Sequence, residues 1–150
     1  MTESAEASFA LGERLGGVLS AGDVVLLSGP LGAGKTAFAQ GVARGLGVPE
    51  DRRVQSPTYA LCHQHPGRVT LYHLDLYRLA SDDEIREAGL EDQLSPVDGV
   101  ALVEWAERLG PETRPVGYLA IEIVVVSATT RRFLLRAVGV RAAAVLAAWP

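Results

Sequence analysis

Apolar positions recur along the chain with two different periods, and the switches between them outline an alternating order of helices and strands. Leu11, Leu15, Val18 and Leu19 stand at i, i+4, i+7 and i+8, the spacing of one helical face, which ends near Ala21-Gly22. Asp23 to Ser28 holds the unbroken run Val24-Val25-Leu26-Leu27, the signature of a short strand buried on both faces at the centre of a parallel sheet. A helix is predicted from Lys35 to Leu46, stopped by Gly47 with Pro49 just beyond. Val54 to His65 reads as extended, interrupted at Ser56-Pro57. The Pro66-Gly67 turn then returns the chain as the second strand of a hairpin, Arg68 to Leu76. Ser81 is placed to cap a helix over Asp82 to Ala88, whose first turn is acidic. Asp98-Gly99 turns into the apolar strand Val100 to Val103, closed by Glu104-Trp105. Tyr118 to Val126 and Arg131 to Ala137 are two further strands joined through Ser127 to Thr130, and Val140 to Trp149 is a terminal helix. Strands interleaved with helices predict one α/β domain over residues 1–150, three layers deep, with a mixed and mostly parallel central sheet.

The joint between the first strand and its helix carries the chemistry. Gly29-Pro30-Leu31-Gly32-Ala33-Gly34-Lys35-Thr36 satisfies G-x-x-x-x-G-K-[ST] in the strand–loop–helix setting that a P-loop requires. Its glycines let the backbone curl so that successive N–H groups point at an anion, and the helix adds the partial positive charge of its N-terminus. Residues 29–36, with Ala37 in the first helical turn, are therefore the candidate nucleotide-binding residues: Lys35 for the β- and γ-phosphates, Thr36 for Mg²⁺. Two acids end apolar strands. Glu104 closes Val100-Ala101-Leu102-Val103, and Asp75 lies in Tyr72-His73-Leu74-Asp75-Leu76-Tyr77-Arg78, where alternation puts His73, Asp75 and Tyr77 on one face. Carboxylates at the carboxyl ends of strands lie beside the phosphate loop in an open α/β sheet. Ser56-Pro57-Thr58 is a hydroxyl-bearing turn where a γ-phosphate-responsive loop commonly lies. Cys62, His63 and His65, followed by His73 and Asp75, form a weak zinc pattern, less favoured than a hairpin that happens to carry histidines.

Composition narrows the class. The 150 residues are 48% hydrophobic and 21% charged, enough for one ordinary core and unlike a disordered chain. A net charge of −4 offers no polybasic surface for direct tRNA or DNA binding. Of 14 basic residues Lys35 is the single lysine, so the one compact ammonium in an arginine-using chain sits inside the phosphate motif. A lone cysteine, Cys62, allows no internal disulfide and fits a reducing compartment. The first residues lack a signal-peptide core, and Ile121 to Val126, the strongest apolar run, is too short to span a bilayer. A cytoplasmic protein is expected, with no membrane partner.

Four ordered stretches then make the chain resemble the bacterial TsaE (YjeE) family, small P-loop ATPases of the pathway that makes threonylcarbamoyladenosine in tRNA. They are the phosphate loop at 29–36, Ser-Pro-Thr-Tyr at 56–59, His-Leu-Asp-Leu-Tyr-Arg-Leu at 73–79 and Val-Glu-Trp at 103–105. The third and fourth are far more specific than the loop itself. Glu84 also fits the pattern, and the Arg131-Arg132 strand and terminal helix are weaker points of likeness. The resemblance covers nearly the whole length; it departs at Pro30, where an acid is frequent, and over Leu61 to His65. It implies an ATPase that uses ATP and Mg²⁺ and acts in a complex with TsaB- and TsaD-like proteins, resetting the carbamoyl-transfer machinery and meeting tRNA only through that complex. It implies catalytic roles for Lys35, Asp75 and Glu104. Thr36 and Glu104 would serve the metal, with Asp75 as a second acid near it or near the attacking water, and Thr58 would belong to the nucleotide-sensing loop. Trp105 is implied to make a base-side, packing or partner contact, and Arg78 a phosphate or partner contact or a buried ion pair. Two other functions share the same P-loop: a small kinase with a dedicated acceptor, and a scaffold in which ATP orders an interface and hydrolysis is incidental.

Overall fold

The computed structural model describes residues 1–149. Its strands are β1 (Val24–Ser28), β2 (Cys62–His65), β3 (Thr70–Asp75), β4 (Gly99–Glu104), β5 (Tyr118–Val125) and β6 (Arg131–Val138). Its helices are α1 (Ala5–Val18), α2 (Lys35–Gly45), α3 (Asp82–Glu87), α4 (Glu91–Leu94) and α5 (Val140–Ala148), with a single 3-10 turn at Ala106–Arg108. One sheet runs in the order β2-β3-β4-β1-β5-β6. β1 lies parallel between β4 and β5, and β3 is parallel to β4, whereas β2 and β6 close the two edges antiparallel. The expected mixed, mostly parallel sheet is borne out. No helix among the described residues is long and apolar enough to cross a membrane.

The apolar run of β1 is explained by its position. Val25 and Leu27 join Phe38, Leu102 and Ile121 in a core covered by α1, α2 and α5. Val24 and Leu26 join Leu74, Val103 and Tyr118 in a second core capped by Ile85 of α3 and Leu94 of α4. A strand with helices on both faces has no polar side to show, so both alternating sets are apolar.

The helix that starts at the phosphate loop is set by backbone contact with its neighbour. Gly12 and Gly16 of α1 face Gly41 and Gly45 of α2, and a Cβ on Gly45 would sit 2.1 Å from the Glu13 carbonyl oxygen. Two glycines four residues apart on each helix let the main chains touch, which fixes where α2 begins relative to the sheet. α1 itself starts at Ala5, earlier than its leucine spacing indicates, because Ser4 caps it by accepting from the Ala7 N–H at 3.0 Å.

The expected extended segment Val54 to His65 forms a strand only over its last four residues, Cys62–His65. Pro57 has no N–H for a ladder, and the chain turns through Leu61 at φ 69°, with the Leu61 N–H on the Pro57 carbonyl at 2.7 Å. The hydroxyls of Ser56 and Thr58 are drawn to carboxylates on β4 and β3. The hairpin of β2 and β3 follows as expected, pairing His63 with His73. Among its histidines, His65 is buried and its Nδ1 accepts from Arg52 Nε at 2.8 Å. Burial and then the Arg52 cation push the His65 pKa down to about 4. The Cys62 thiol is pushed up to about 11 by burial, so it stays protonated. An arginine-engaged imidazole and an un-ionised thiol are poor zinc ligands.

Three outcomes follow. Gly45→Ala is expected to cost about 2 kcal/mol in chemical denaturation, since the added methyl overlaps a backbone oxygen. Gly17→Ala, whose Cβ meets nothing within 4 Å, should instead be neutral or stabilise by about 0.5 kcal/mol. A histidine whose pKa is depressed on folding binds its proton in the unfolded chain first, so stability drains away as pH falls from 6.5 toward about 4. Unfolding curves across that range should show up to about 3 kcal/mol less pH dependence in His65→Asn, whose amide oxygen can still accept from Arg52.

Candidate functional site

Three strand ends meet the phosphate loop at one level of the sheet. The register sets Leu27 of β1 against Glu104 of β4 and Asp75 of β3 against the same Glu104. Glu104 shares its strand face with Leu102, and Asp75 and His73 share theirs with Leu71, all on the side covered by α2. The loop that leaves β1 thus returns over the acids that close β3 and β4.

The loop is shaped by its glycines where they matter most. Gly32 and Gly34 adopt φ of 79° and 97°, left-handed values that a side chain resists, and Gly34 directly precedes α2. Lys35, the first residue of α2, is only 6% exposed. Its Nζ folds back to donate to the Gly29 carbonyl at 2.5 Å and the Pro30 carbonyl at 2.9 Å. The Trp105 ring covers it, with Nζ 4.4 Å from the ring centroid. Burial is the main cause of a Lys35 pKa below the ordinary lysine value, opposed by Glu104, Glu107 and Asp75. Trp105 takes φ 58°, an unusual conformation for a bulky residue, and its indole also packs on Tyr77 at 4.8 Å. Of the contacts implied for Trp105, the structure shows packing.

A chain of hydrogen bonds joins the loop to the acids. Ser56 Oγ donates to Glu104 at 2.9 Å, which uses its only hydrogen, so the Thr36 hydroxyl donates to Ser56 at 3.1 Å. On the other side His73 Nε2 donates to Glu104 Oε2 at 2.5 Å, with both side chains buried. Asp75 accepts from the Thr58 hydroxyl at 3.2 Å and from the Tyr77 N–H at 2.9 Å. Burial is the largest influence on Asp75 and raises its pKa, Glu104 adds to the rise, and the two hydrogen bonds and His73 oppose it.

Lys35, Thr36, Thr58, Asp75 and Glu104 therefore lie around one loop, with Glu104 tied to Thr36 through Ser56 and Asp75 turned toward Thr58, whereas Glu84 lies apart in α3, accepting from the Ala80 N–H at 2.6 Å. Arg78 is exposed, with its guanidinium 5.0 Å above the Tyr59 ring, and makes no ion pair among the described residues. Position on an exposed turn rules out the buried ion pair. Sequence reasoning did not assign Ser56 and His73 as the direct partners of Glu104. The shared face of His73 and Asp75 was a usable signal, but the β3–β4 register was not legible. Arg131, from the far edge strand, also reaches the loop, donating to the Ala33 carbonyl at 2.9 Å and the Gly32 carbonyl at 3.2 Å. As donors, Thr36, Ser56, Glu104 and Asp75 offer oxygens alone, the set suited to a hard cation such as Mg²⁺.

Comparison with known proteins identifies the family of the chain. The family profile described as threonylcarbamoyl adenosine biosynthesis protein TsaE matches residues 2–133. The chain is 41% identical over 112 residues to the tRNA threonylcarbamoyladenosine biosynthesis protein TsaE of Treponema pallidum, spanning 75% of this chain and 81% of that one. It is 41% identical over 121 residues to the same-named protein of Bacillus subtilis, covering 80% and 73%. The match to the Nostoc protein of that name, 43% over 108 residues, spans 69% of this chain and 65% of the relative. In three dimensions the crystal structure of YdiB from Bacillus subtilis aligns with a TM-score of 0.80 at 32% identity, over 96% of this chain and 87% of that one. With a profile match over nearly its whole length and these identities to relatives of one name, the chain belongs to the TsaE family.

Proposed function

We propose that the chain binds and hydrolyses ATP with Mg²⁺, and that this cycle serves threonylcarbamoyladenosine modification of tRNA. The observation that carries the reading is the link from Thr36 at the start of α2, through Ser56, to Glu104 at the end of β4. A phosphate loop with no acid behind it could bind an anion and do little else. Here the Glu104 carboxylate lies two hydrogen bonds from the loop's threonine, through Ser56.

The residues divide the work as follows. The loop's N–H groups and the α2 N-terminus receive the polyphosphate. Lys35 exchanges the Gly29 and Pro30 carbonyls for phosphate oxygens, so its ammonium moves from one set of oxygens to another without entering water. Thr36 and Glu104 would hold Mg²⁺, which neutralises charge on the β- and γ-phosphates when bound. His73 holds one Glu104 oxygen, which aims the carboxylate. Asp75, made more basic by burial, is suited to accept a proton from an attacking water near the metal shell. Thr58 reports on that region through its bond to Asp75.

Partners complete the reading. Arg131, which reaches the loop, spends its donors on backbone carbonyls, and Arg108 stacks its guanidinium over the Trp105 and Tyr77 rings. Slow hydrolysis by the chain alone and stimulation by TsaB- and TsaD-like proteins are therefore part of the proposal. The acidic net charge of −4 supports contact with tRNA through those proteins.

Lys35→Ala should weaken ATP binding about a hundredfold by calorimetry. Glu104→Gln should keep nucleotide affinity within a few-fold while lowering phosphate release about a hundredfold or more. Free phosphate as the product, with no phosphorylated acceptor, separates this function from a kinase. Release of phosphate measured with and without TsaB- and TsaD-type partners tests the complex: no stimulation and no co-elution would refute that part.

A further inference from the structure

The guanidinium of Arg131 makes four contacts with backbone carbonyls. Its Nε donates to Ala33 at 2.9 Å, Nη2 to Gly32 at 3.2 Å, and Nη1 to both Ser127 at 2.8 Å and Thr130 at 3.1 Å. Arginine has five N–H donors, so four are committed, and all four to the main chain. The arm itself is pinned. Arg131 and Thr2 exchange backbone hydrogen bonds of 2.8 Å in both directions, and Thr2 Oγ1 lies 2.7 Å from Ser8 Oγ. Sequence separations of 98 and 99 residues make this a tertiary device that no local pattern announces.

We propose that Arg131 is a positioning residue of the phosphate loop, holding the Gly32 and Ala33 carbonyls from outside so that the Gly34 N–H is presented to the polyphosphate of a nucleotide. The inference rests on the phosphate-site reading given above. Every peptide bond among the described residues is trans, so the C=O and N–H of one unit point in opposite directions. Fixing the Gly32 oxygen fixes the Ala33 N–H, which closes the loop's own turn on Pro30 at 3.1 Å. Fixing the Ala33 oxygen fixes the Gly34 N–H, which has no protein acceptor among the described residues. Gly32 and Gly34 flank these peptides at positive φ, and glycines turn their peptide planes at little cost. A loop of that composition needs an external hold to keep its donors aimed before the ligand arrives. A planar fork that grips the Gly32 and Ala33 carbonyls while anchored on those of Ser127 and Thr130 supplies one, and an ammonium with three donors cannot hold all four. The same commitment of donors separates this role from that of an arginine finger, which needs free N–H groups for the transferred phosphate.

The test is calorimetric and kinetic on the full chain, with Lys35→Ala as the reference for a lost phosphate contact. Arg131→Ala is expected to weaken ATP, ADP and inorganic pyrophosphate alike, by about 10- to 30-fold, with turnover per bound ATP held within about threefold. Arg131→Lys, which keeps charge and stem if the alanine variant fails to fold, should recover only part of that affinity. Arg132→Ala, an exposed neighbour, should bind as wild type does. A finger would behave oppositely, losing turnover while ADP affinity stayed unchanged, and that result would overturn the proposal. So would wild-type affinity in both Arg131 variants, or full recovery by lysine. A wild-type chain that binds neither nucleotide nor pyrophosphate would refute the phosphate site itself. Binding that is lost in Lys35→Ala but intact in the Arg131 variants would refute this inference alone.

Discussion

The burial of one carboxylate organises the site. Glu104 is 2% exposed at the end of β4, where an ionised group without partners would cost several kcal/mol. Two side chains answer that requirement. His73 reaches it across the β3–β4 pairing, and Ser56 reaches it from a turn 48 residues away in sequence. Meeting the needs of Glu104 thus holds β3 beside β4 and pulls the 55–58 segment over the strand ends. It also brings the Thr36 hydroxyl into the same network. Fold and site share these bonds, and so the turn between α2 and β2 is ordered without being a strand.

The phosphate loop is held from two directions by different physics. Beneath it, glycine-to-glycine contact between α1 and α2 sets the position of the helix N-terminus through main-chain packing. Beside it, the Arg131 fork grips two carbonyls of the loop from β6. Between these supports Lys35 rests on the loop's own oxygens beneath Trp105. The Lys35 side chain is thus held by two main-chain oxygens and one aromatic face instead of by water. The left-handed backbone of Trp105 belongs to the same arrangement, since it carries the indole from the end of β4 back over the lysine.

Much of the architecture was legible because periodicity and punctuation agreed. β1 was readable from four successive buried apolar residues, and α2 from the loop before it and Gly47 after it. α3 was readable from Ser81, whose hydroxyl does accept from the Glu84 N–H. The failures have physical causes. Residues 54–61 have strand-compatible composition, but the hydroxyls of Ser56 and Thr58 are worth more on buried carboxylates than the segment would gain from a ladder. The one-turn helix α4 has too few residues to display a period.

Sequence alone determined the kinds of group at work: a glycine-rich loop ending in the only lysine, two acids closing apolar strands, and a hydroxyl-bearing turn. These are local patterns, set by residue type and spacing of a few positions. Tertiary structure decided which of them act together. It made Ser56 the link from Thr36 to Glu104, turned Asp75 toward Thr58, laid Trp105 over Lys35 and brought Arg131 against the loop. Each depends on strand register or on contacts between residues tens of positions apart. Such pairings follow from how the whole chain satisfies its buried polar groups, which no single segment can express.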